Sequence, residues 1–431
     1  MVDLNTIASL CKRRGFVYQS SEIYGGLGSV WDYGPLGVEL KNNVKNLWWK
    51  SAVYERDDVE GLDASILMHP DVWRTSGHVA GFKDSWVDCK SCNKRFRYDE
   101  VKQKTCPECK GELTEPRTFN LMFKTFIGSV ESEANEIYLR PETAQGIFVN
   151  FKNILASSRK KLPFGVAQIG KAFRNEVTTG NLTFRSREFE QMELEYFTYP
   201  EDSDKWFDYW VNERFQWYKK FGMNKKNIRL RKHAKEELAH YAKSCYDIEF
   251  LFPMGWLELE GIAHRADFDL KQHSEISGKS LAFYDEEKKK DIIPHVIEPS
   301  GGVDRTCLAF LIDAYKTEKV RGEKRVVLAF HKELAPVKVA VLPLLRNRPE
   351  LVKLARAIYK DLRGDFKVTY DDTASIGRLY RRQDETGTLY CITVDVKSLE
   401  DKKVTVRDRD TMEQERISVD MVKKYMEGKL R

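Results

Sequence analysis

Phe173-Arg174-Asn175-Glu176, a Val-Thr-Thr-Gly-Asn-Leu connection, and then Phe184-Arg-Ser-Arg-Glu-Phe-Glu-Gln-Met-Glu-Leu-Glu-Tyr-Phe197 form the stretch on which the fold turns. Two ordered runs around a Gly-containing connection read as strand, loop, strand. Side chains alternate across a strand, so Arg185, Arg187, Phe189, Gln191, Glu193 and Glu195 share one face, and Glu188, Glu190, Met192, Leu194 and Tyr196 the other. The second set becomes apolar toward its end and faces a core. The first set, with two guanidinium groups, a ring, an amide and two carboxylates, then looks into a cleft. A guanidinium grips phosphate or carboxylate at two points and a ring is a plate for a purine, so Arg174, Arg185 and Phe189 suit a nucleoside triphosphate.

Outward from this hairpin, strand patterns recur at 65–68, 137–139, 165–171, 256–262 and 295–298, and helical spacing at 1–15, 38–55 and 204–221. The last helix carries Trp206, Trp210, Trp217 and Phe221 as large core-facing or interface rings. These elements do not alternate as βαβ units, and neither a GxGxxG nor a GxxxxGK segment occurs. Rossmann and P-loop architectures are thereby excluded in favour of an α+β domain, an antiparallel sheet backed by helices. Glu298-Pro-Ser300-Gly-Gly-Val-Asp-Arg305 opens a further helix with Asp304 and Arg305 in its early turns, a second cluster suited to phosphate.

The segment 88–115 interrupts this pattern with charges, turn residues and two pairs, Cys89-x-x-Cys92 and Cys106-x-x-Cys109. Each pair can wrap one side of a tetrahedral ion, and four thiolates leave no open position, so the spacing predicts a structural zinc site without Lewis-acid chemistry. An iron–sulfur centre or metal-free thiols are the alternatives. Lys90, Lys94, Arg95, Arg97, Lys102, Lys104 and Lys110 surround the pairs, which suits phosphate contact and an ordinary solvated collar equally.

A chain of 431 residues with 42% hydrophobic and 12% aromatic residues holds two or three folded domains. Its surplus of +6 looks too small for a nucleic-acid binder until it is located. Residues 324–431 contain 24 basic and 17 acidic residues, whereas 1–323 contain 48 and 49. A polyanion partner for the last quarter fits that gradient. The polar run 316–325 reads as the boundary, and the strand–helix alternation beyond it as a separate α/β module, with strands at 337–342, 366–370, 391–396 and 403–407 and a helix at 351–362. No membrane-length apolar run or leader pattern is present, and Cys11, Cys245, Cys307 and Cys391 are scattered. A soluble chain in a reducing compartment is expected.

These motifs resemble the class II aminoacyl-tRNA synthetases, and within them the dimeric glycyl-tRNA synthetase family, over nearly the whole chain. Residues 35–70 are similar to the family's motif 1, 173–197 to motif 2 and 298–315 to motif 3. The narrowing to glycine rests on Trp31-Asp-Tyr-Gly-Pro-Leu-Gly37, Arg140-Pro-Glu-Thr-Ala-Gln-Gly146, Glu260-Gly-Ile-Ala-His-Arg-Ala-Asp-Phe-Asp-Leu270, Glu298-Pro-Ser300 and the cysteine knuckle. The module after 323 resembles the family's anticodon-binding domain, though Gly387-Thr-Leu389 lacks a proline often found after the threonine.

The resemblance implies a catalytic domain over 1–323 with a zinc-binding insertion at 86–116, an anticodon-binding domain over 324–431, and a cytoplasmic homodimer. It implies ATP with adenine on Phe189 near Glu176, its α-phosphate on Arg174, its γ-phosphate on Arg185 and Arg305, and magnesium on Glu258 and Glu298. Catalytic weight falls on Arg174, Glu176 and Arg305. Glycine would meet Glu142, Glu193 and Glu298, with Arg265 nearby and Ser300 where a methyl group would go, before transfer to tRNA(Gly). A synthetase for another amino acid and a non-catalytic tRNA-binding relative are the alternatives.

Overall fold

The computed structural model describes residues 2–98, 101, 105–176, 181–239, 241–320 and 322–430. Val177–Gly180 of the hairpin connection, Lys102 and Lys104 of the basic collar, and Arg321 of the polar run lie outside the described residues.

The central sheet contains β1 (Val59–Gly61), β2 (Phe164–Phe173), β3 (Glu188–Thr198), β4 (Ile228–Lys232), β5 (Ser244–Phe252), β6 (Gly255–Ala266) and β7 (His295–Gly302), in the order β4-β5-β6-β7-β3-β2-β1. Every neighbouring pair is antiparallel except β1–β2. The expected alternation on β3 holds from Phe189 to Tyr196, whereas Arg185 and Arg187 precede the strand and Arg187 donates to the Glu176 and Gly28 carbonyls. Met192, Leu194 and Tyr196 enter a core with three helices: α1 (Pro35–Trp49), α3 (Ser203–Lys220) and α5 (Val303–Ala314). Trp210, Trp217 and Phe221 are buried there, and Trp206 packs at its margin. On the opposite face, α2 (Ala144–Ser158) and α4 (Phe268–Ser277) close one end, with Phe148, Phe151, Phe164 and Phe197 in mutual ring contact. The cleft is what these helices leave uncovered.

Helix α1 begins with Pro35 in its first turn, where the missing N–H costs nothing. Gly37 is required by close approach: a β-carbon there would lie 1.8 Å from the Phe16 carbonyl oxygen. The glycine-rich 31–37 segment is thus a docking point between helix and first turn.

Two sequence expectations need correction. The strand placed at 65–68 is absent, with only an isolated Leu67–Leu139 bridge. The edge strand is instead β1, paired with Gly165, Val166 and Ala167. Arg140 explains the shift: its guanidinium donates to the carbonyls of Ala64 (2.7 Å) and Ser65 (3.4 Å), taking acceptors a sheet ladder would need. The polar run 316–325 is not a linker but belongs to the hairpin Tyr315–Val320 and Glu323–Leu328. Arg325 is fully buried, donating to Asp384 at 2.8 and 3.0 Å, so the expected boundary after 323 falls inside a strand.

The C-terminal sheet orders its strands Val368–Tyr370, Val339–Pro343, Tyr390–Val394, Lys403–Asp408 and Gln414–Ser418. The first three are parallel and the last two join antiparallel, with helix Pro349–Leu362 on the core. Strand Gln414–Ser418 and helices Ile376–Thr386 and Val422–Leu430 were not read from the sequence. No helix among the described residues is long and apolar enough to cross a membrane.

Candidate active site

A cavity of about 330 Å³ opens on the charged face of the sheet. It collects Arg174, Glu176, Arg185, Phe189, Glu258 and Arg305 toward one end and Glu142, Glu193, Glu298 and Ser300 toward the other. Register produces the second group: Glu193 stands opposite Ser300, which stands opposite Gly261, so three neighbouring strands present them in one row. The next row brings Glu298 beside Ala263 and, by the same register, Glu195. Gly261, whose missing side chain would meet nothing within 4 Å, leaves that floor open.

Two of the arginines are aimed by backbone carbonyls. Arg174 donates from Nε to the Pro141 carbonyl at 3.0 Å and lies 5.3 Å from the Phe189 ring centre. Arg305 donates to the carbonyls of Phe184 (3.1 Å) and Glu258 (3.3 Å) and lies over the Phe184 ring. Arg185 reaches toward Glu176 at 3.9 Å. The Arg174 and Arg305 guanidinium groups are held in place by fewer bonds than their five N–H donors could make. Asp304 ties this end together: it accepts from Tyr33 Oη (2.6 Å), Lys41 Nζ (3.0 Å) and the Glu190 amide (2.7 Å), joining α1, β3 and α5.

The acidic end is buried. Glu193 accepts from the amide and hydroxyl of Thr143. Burial and the charge of Glu142 push its carboxyl up. Burial pushes Glu298 up to about 8, reinforced by Glu193 and Glu142 and opposed by Arg265. Glu142 goes the other way, since His78 at 3.3 Å and Arg265 overcome its burial. Glu195 is fully buried without a hydrogen-bond partner, and burial with the charge of Glu298 drives it well above the carboxylate range. A cation entering here would favour the ionised forms.

The family models of the tRNA synthetase class II core domain (G, H, P, S and T) and of the anticodon binding domain match residues 126–315 and 338–429. Across the full length, the chain is 52% identical to the glycine–tRNA ligase of Caldanaerobacter subterraneus subsp. tengcongensis, covering 100% of this chain and 99% of that protein. It is 53% identical to the one from Treponema denticola, covering 96% and 94%, and 52% identical to the one from Thermobifida fusca, covering 99% and 98%. The chain belongs to the glycine–tRNA ligase family.

For this family member the cavity brings together the sequence-derived ATP and glycine residues with the exception of Arg265. Arg265 does not line the cavity: it is buried behind it, gripping Asp269 at 2.8 Å through two nitrogens and both Glu298 oxygens at 3.0 Å, beneath the Tyr241 ring. Glu258 and Glu298, the two carboxylates expected to meet magnesium, stand apart along the sheet. Glu298 pairs with Ala263, five residues from Glu258 on β6, or about 16 Å along a strand. The sequence reading missed Tyr241, His78 and Asp269. Asp269 had a signal, its i+4 spacing from Arg265 at a strand-to-helix junction, whereas His78 and Tyr241 come from distant segments without one.

The cysteine knuckle stands apart from the cavity, beside the small sheet of Lys83–Asp88, Arg95–Arg97 and Arg117–Asn120. Its two turns are alike: Asn93 N donates to Cys89 O, Lys110 N donates to Cys106 O, and Asn93 and Lys110 have φ of 56° and 63°. All four cysteines are free, and their sulfurs lie within 4.8 Å of one another, including separations of 3.4 and 3.8 Å. A tetrahedral ion with bonds of about 2.3 Å spaces its sulfurs about 3.8 Å apart, so the set fits structural zinc. Lys90, Lys94, Arg95 and Arg97 pair with Glu112, Glu108, Asp88 and Asp84, so much of the basic collar is neutralised locally.

Proposed function

We propose that the chain activates glycine with ATP and transfers it to the 3′ end of tRNA(Gly). The observation that carries this reading is the two-ended cavity, with an aromatic plate and three arginines, two of them anchored on backbone carbonyls, at one end and buried carboxylates at the other. In this reading adenine lies on Phe189 near Glu176, the α-phosphate meets Arg174, and the γ-phosphate meets Arg185 and Arg305. Glu142, Glu193 and Glu298 hold the glycine ammonium. Arg265 stays behind them as a positioning residue.

A glycine carboxylate oxygen attacks the α-phosphorus, the bond to the β-phosphate oxygen breaks, and pyrophosphate leaves with that electron pair. Arg174 and Arg305 offset the charge developing on the transferring and leaving phosphates. The terminal ribose hydroxyl of tRNA then attacks the adenylate carbonyl and AMP departs, without a covalent link to the protein. Magnesium would neutralise phosphate charge. Glu258, half-exposed beside Arg305, fits that role, whereas Glu298 is committed to Arg265.

The same reading assigns catalysis to the part of the chain ahead of the hairpin Tyr315–Leu328, with 86–116 as its zinc-binding insertion, and the anticodon to the C-terminal sheet beyond that hairpin. It takes the working form to be a cytoplasmic homodimer. Amino-acid-dependent pyrophosphate exchange over a panel of amino acids tests the assignment. Glycine alone should support exchange. Exchange with threonine or proline instead, or none with glycine, would overturn it.

A further inference from the structure

One part of the cavity wall has no role in the glycine or ATP assignments. Strands β4 and β5 pair with Lys232 opposite Tyr246, and the ladder continues one residue further, where His233 N donates to Cys245 O at 3.0 Å. His233 therefore faces Cys245 across the ladder, and Asp247, two residues along, projects on the same side. All three line the cavity, Asp247 buried and the others half-buried. One ligand atom from each lies within 4.8 Å of the others, and His233 Nε2 is 2.8 Å from Asp247 Oδ2.

We propose that His233, Cys245 and Asp247 form a second transition-metal site, separate from the four-cysteine knuckle, that takes Zn²⁺ with its fourth position open to the cavity. An imidazole nitrogen, a thiolate and a carboxylate oxygen suit zinc, whereas magnesium takes oxygen ligands and would not recruit the thiol. Three protein ligands with one open position also separate this site from the closed knuckle.

Arg231 donates to Asp247 at 3.0 Å and is the obvious objection. Its charge is already met elsewhere, by Glu237 at 2.9 and 3.1 Å and by Glu249 at 3.0 Å. On binding, the Cys245 thiol loses its proton to solvent, and Asp247 exchanges its contact with His233 for the metal. Because the site is part of the cavity wall, its occupation obstructs substrate and makes Zn²⁺ a reversible inhibitor.

The test counts metal. Full-length protein carrying its knuckle zinc is equilibrated with excess Zn²⁺, freed of unbound metal and analysed by elemental mass spectrometry. Two zinc ions per chain are expected, and one for Cys245→Ser or His233→Ala, with thermal melting used to verify that each variant folds. Cobalt added to the one-zinc protein should give a sulfur-to-cobalt charge-transfer band that Cys245→Ser removes. Zinc inhibition of exchange, relative to each variant's own zinc-free rate, should weaken by about tenfold or more. One zinc in the unaltered protein, a second zinc retained by both variants, or an unchanged cobalt band would each overturn the site. The metal count does not depend on glycine activation, so failure here is distinct from failure of the proposed function.

Discussion

The two ends of the cavity solve opposite electrostatic problems. At the arginine end, Arg185 and Arg305 keep about a quarter to a third of their side-chain surface exposed and are steered by carbonyls or by a distant carboxylate. At the acidic end, the Glu298 and Arg265 side chains are 9% and 3% exposed and bound to each other. An exposed cation can wait for its ligand at little cost, whereas a buried carboxylate must be paired, protonated or supplied with a cation. The arginine end should therefore yield to mutation mainly in activity, and the acidic end in stability as well.

The sharpest break is Arg265→Ala. It leaves Asp269 and Glu298 buried without their shared partner, and unfolding free energy should fall by about 3–5 kcal/mol, read from denaturant titration. A loss below about 1 kcal/mol would mean that the acidic end relaxes into water and that the contrast is wrong. Next comes Arg174→Ala, which should lower glycine-dependent exchange by about 10²–10³-fold while tRNA binding and unfolding free energy stay nearly unchanged. Preserved exchange would remove Arg174 from the chemistry.

Within the acidic end, Ser300→Gly sharpens selectivity. Ser300 Oγ accepts from Gln191 at 3.3 Å, which holds the side chain in the row with Glu193. Removing it should open space for one methyl group and raise the alanine-to-glycine ratio in exchange by about 10- to 100-fold, the worth of a methyl contact. An unchanged ratio would sink the wall role.

Much of this contrast was legible because it is written in local pattern. Strand parity from Phe189 to Tyr196 separated cavity from core, and the resemblance pointed to Arg174 and Arg305, which line one cavity. Where the sequence misled, a long-range side chain intervened. Arg140 occupies the carbonyls of Ala64 and Ser65 and moves the edge strand to β1, while Asp384 buries Arg325 and turns an apparent linker into a hairpin. The setting of Arg265 was hidden for a similar reason: the resemblance put it near the acidic pocket, and Asp269 four residues on and Tyr241 from a separate loop hold it behind the wall. Periodicity carries no record of such partners.

Proton linkage gives the smallest effect and the finest test of the acidic end. The Glu298 carboxyl rises from an ordinary 4.5 to about 8, by burial first and then by Glu193 and Glu142. A raised carboxyl means that the folded chain binds more protons than the unfolded one, so its contribution to stability is largest below pH 4.5 and is lost as pH rises toward 8. Glycine enters as an ammonium and favours the ionised form, so its binding at neutral pH should release up to one proton and strengthen with pH, by at most about tenfold per unit, from pH 6 to 8. Calorimetry in buffers of different ionisation enthalpy reads that release. Glu298→Gln should flatten both slopes, whereas a pH-independent affinity in the unaltered protein would show that Arg265 alone keeps Glu298 ionised.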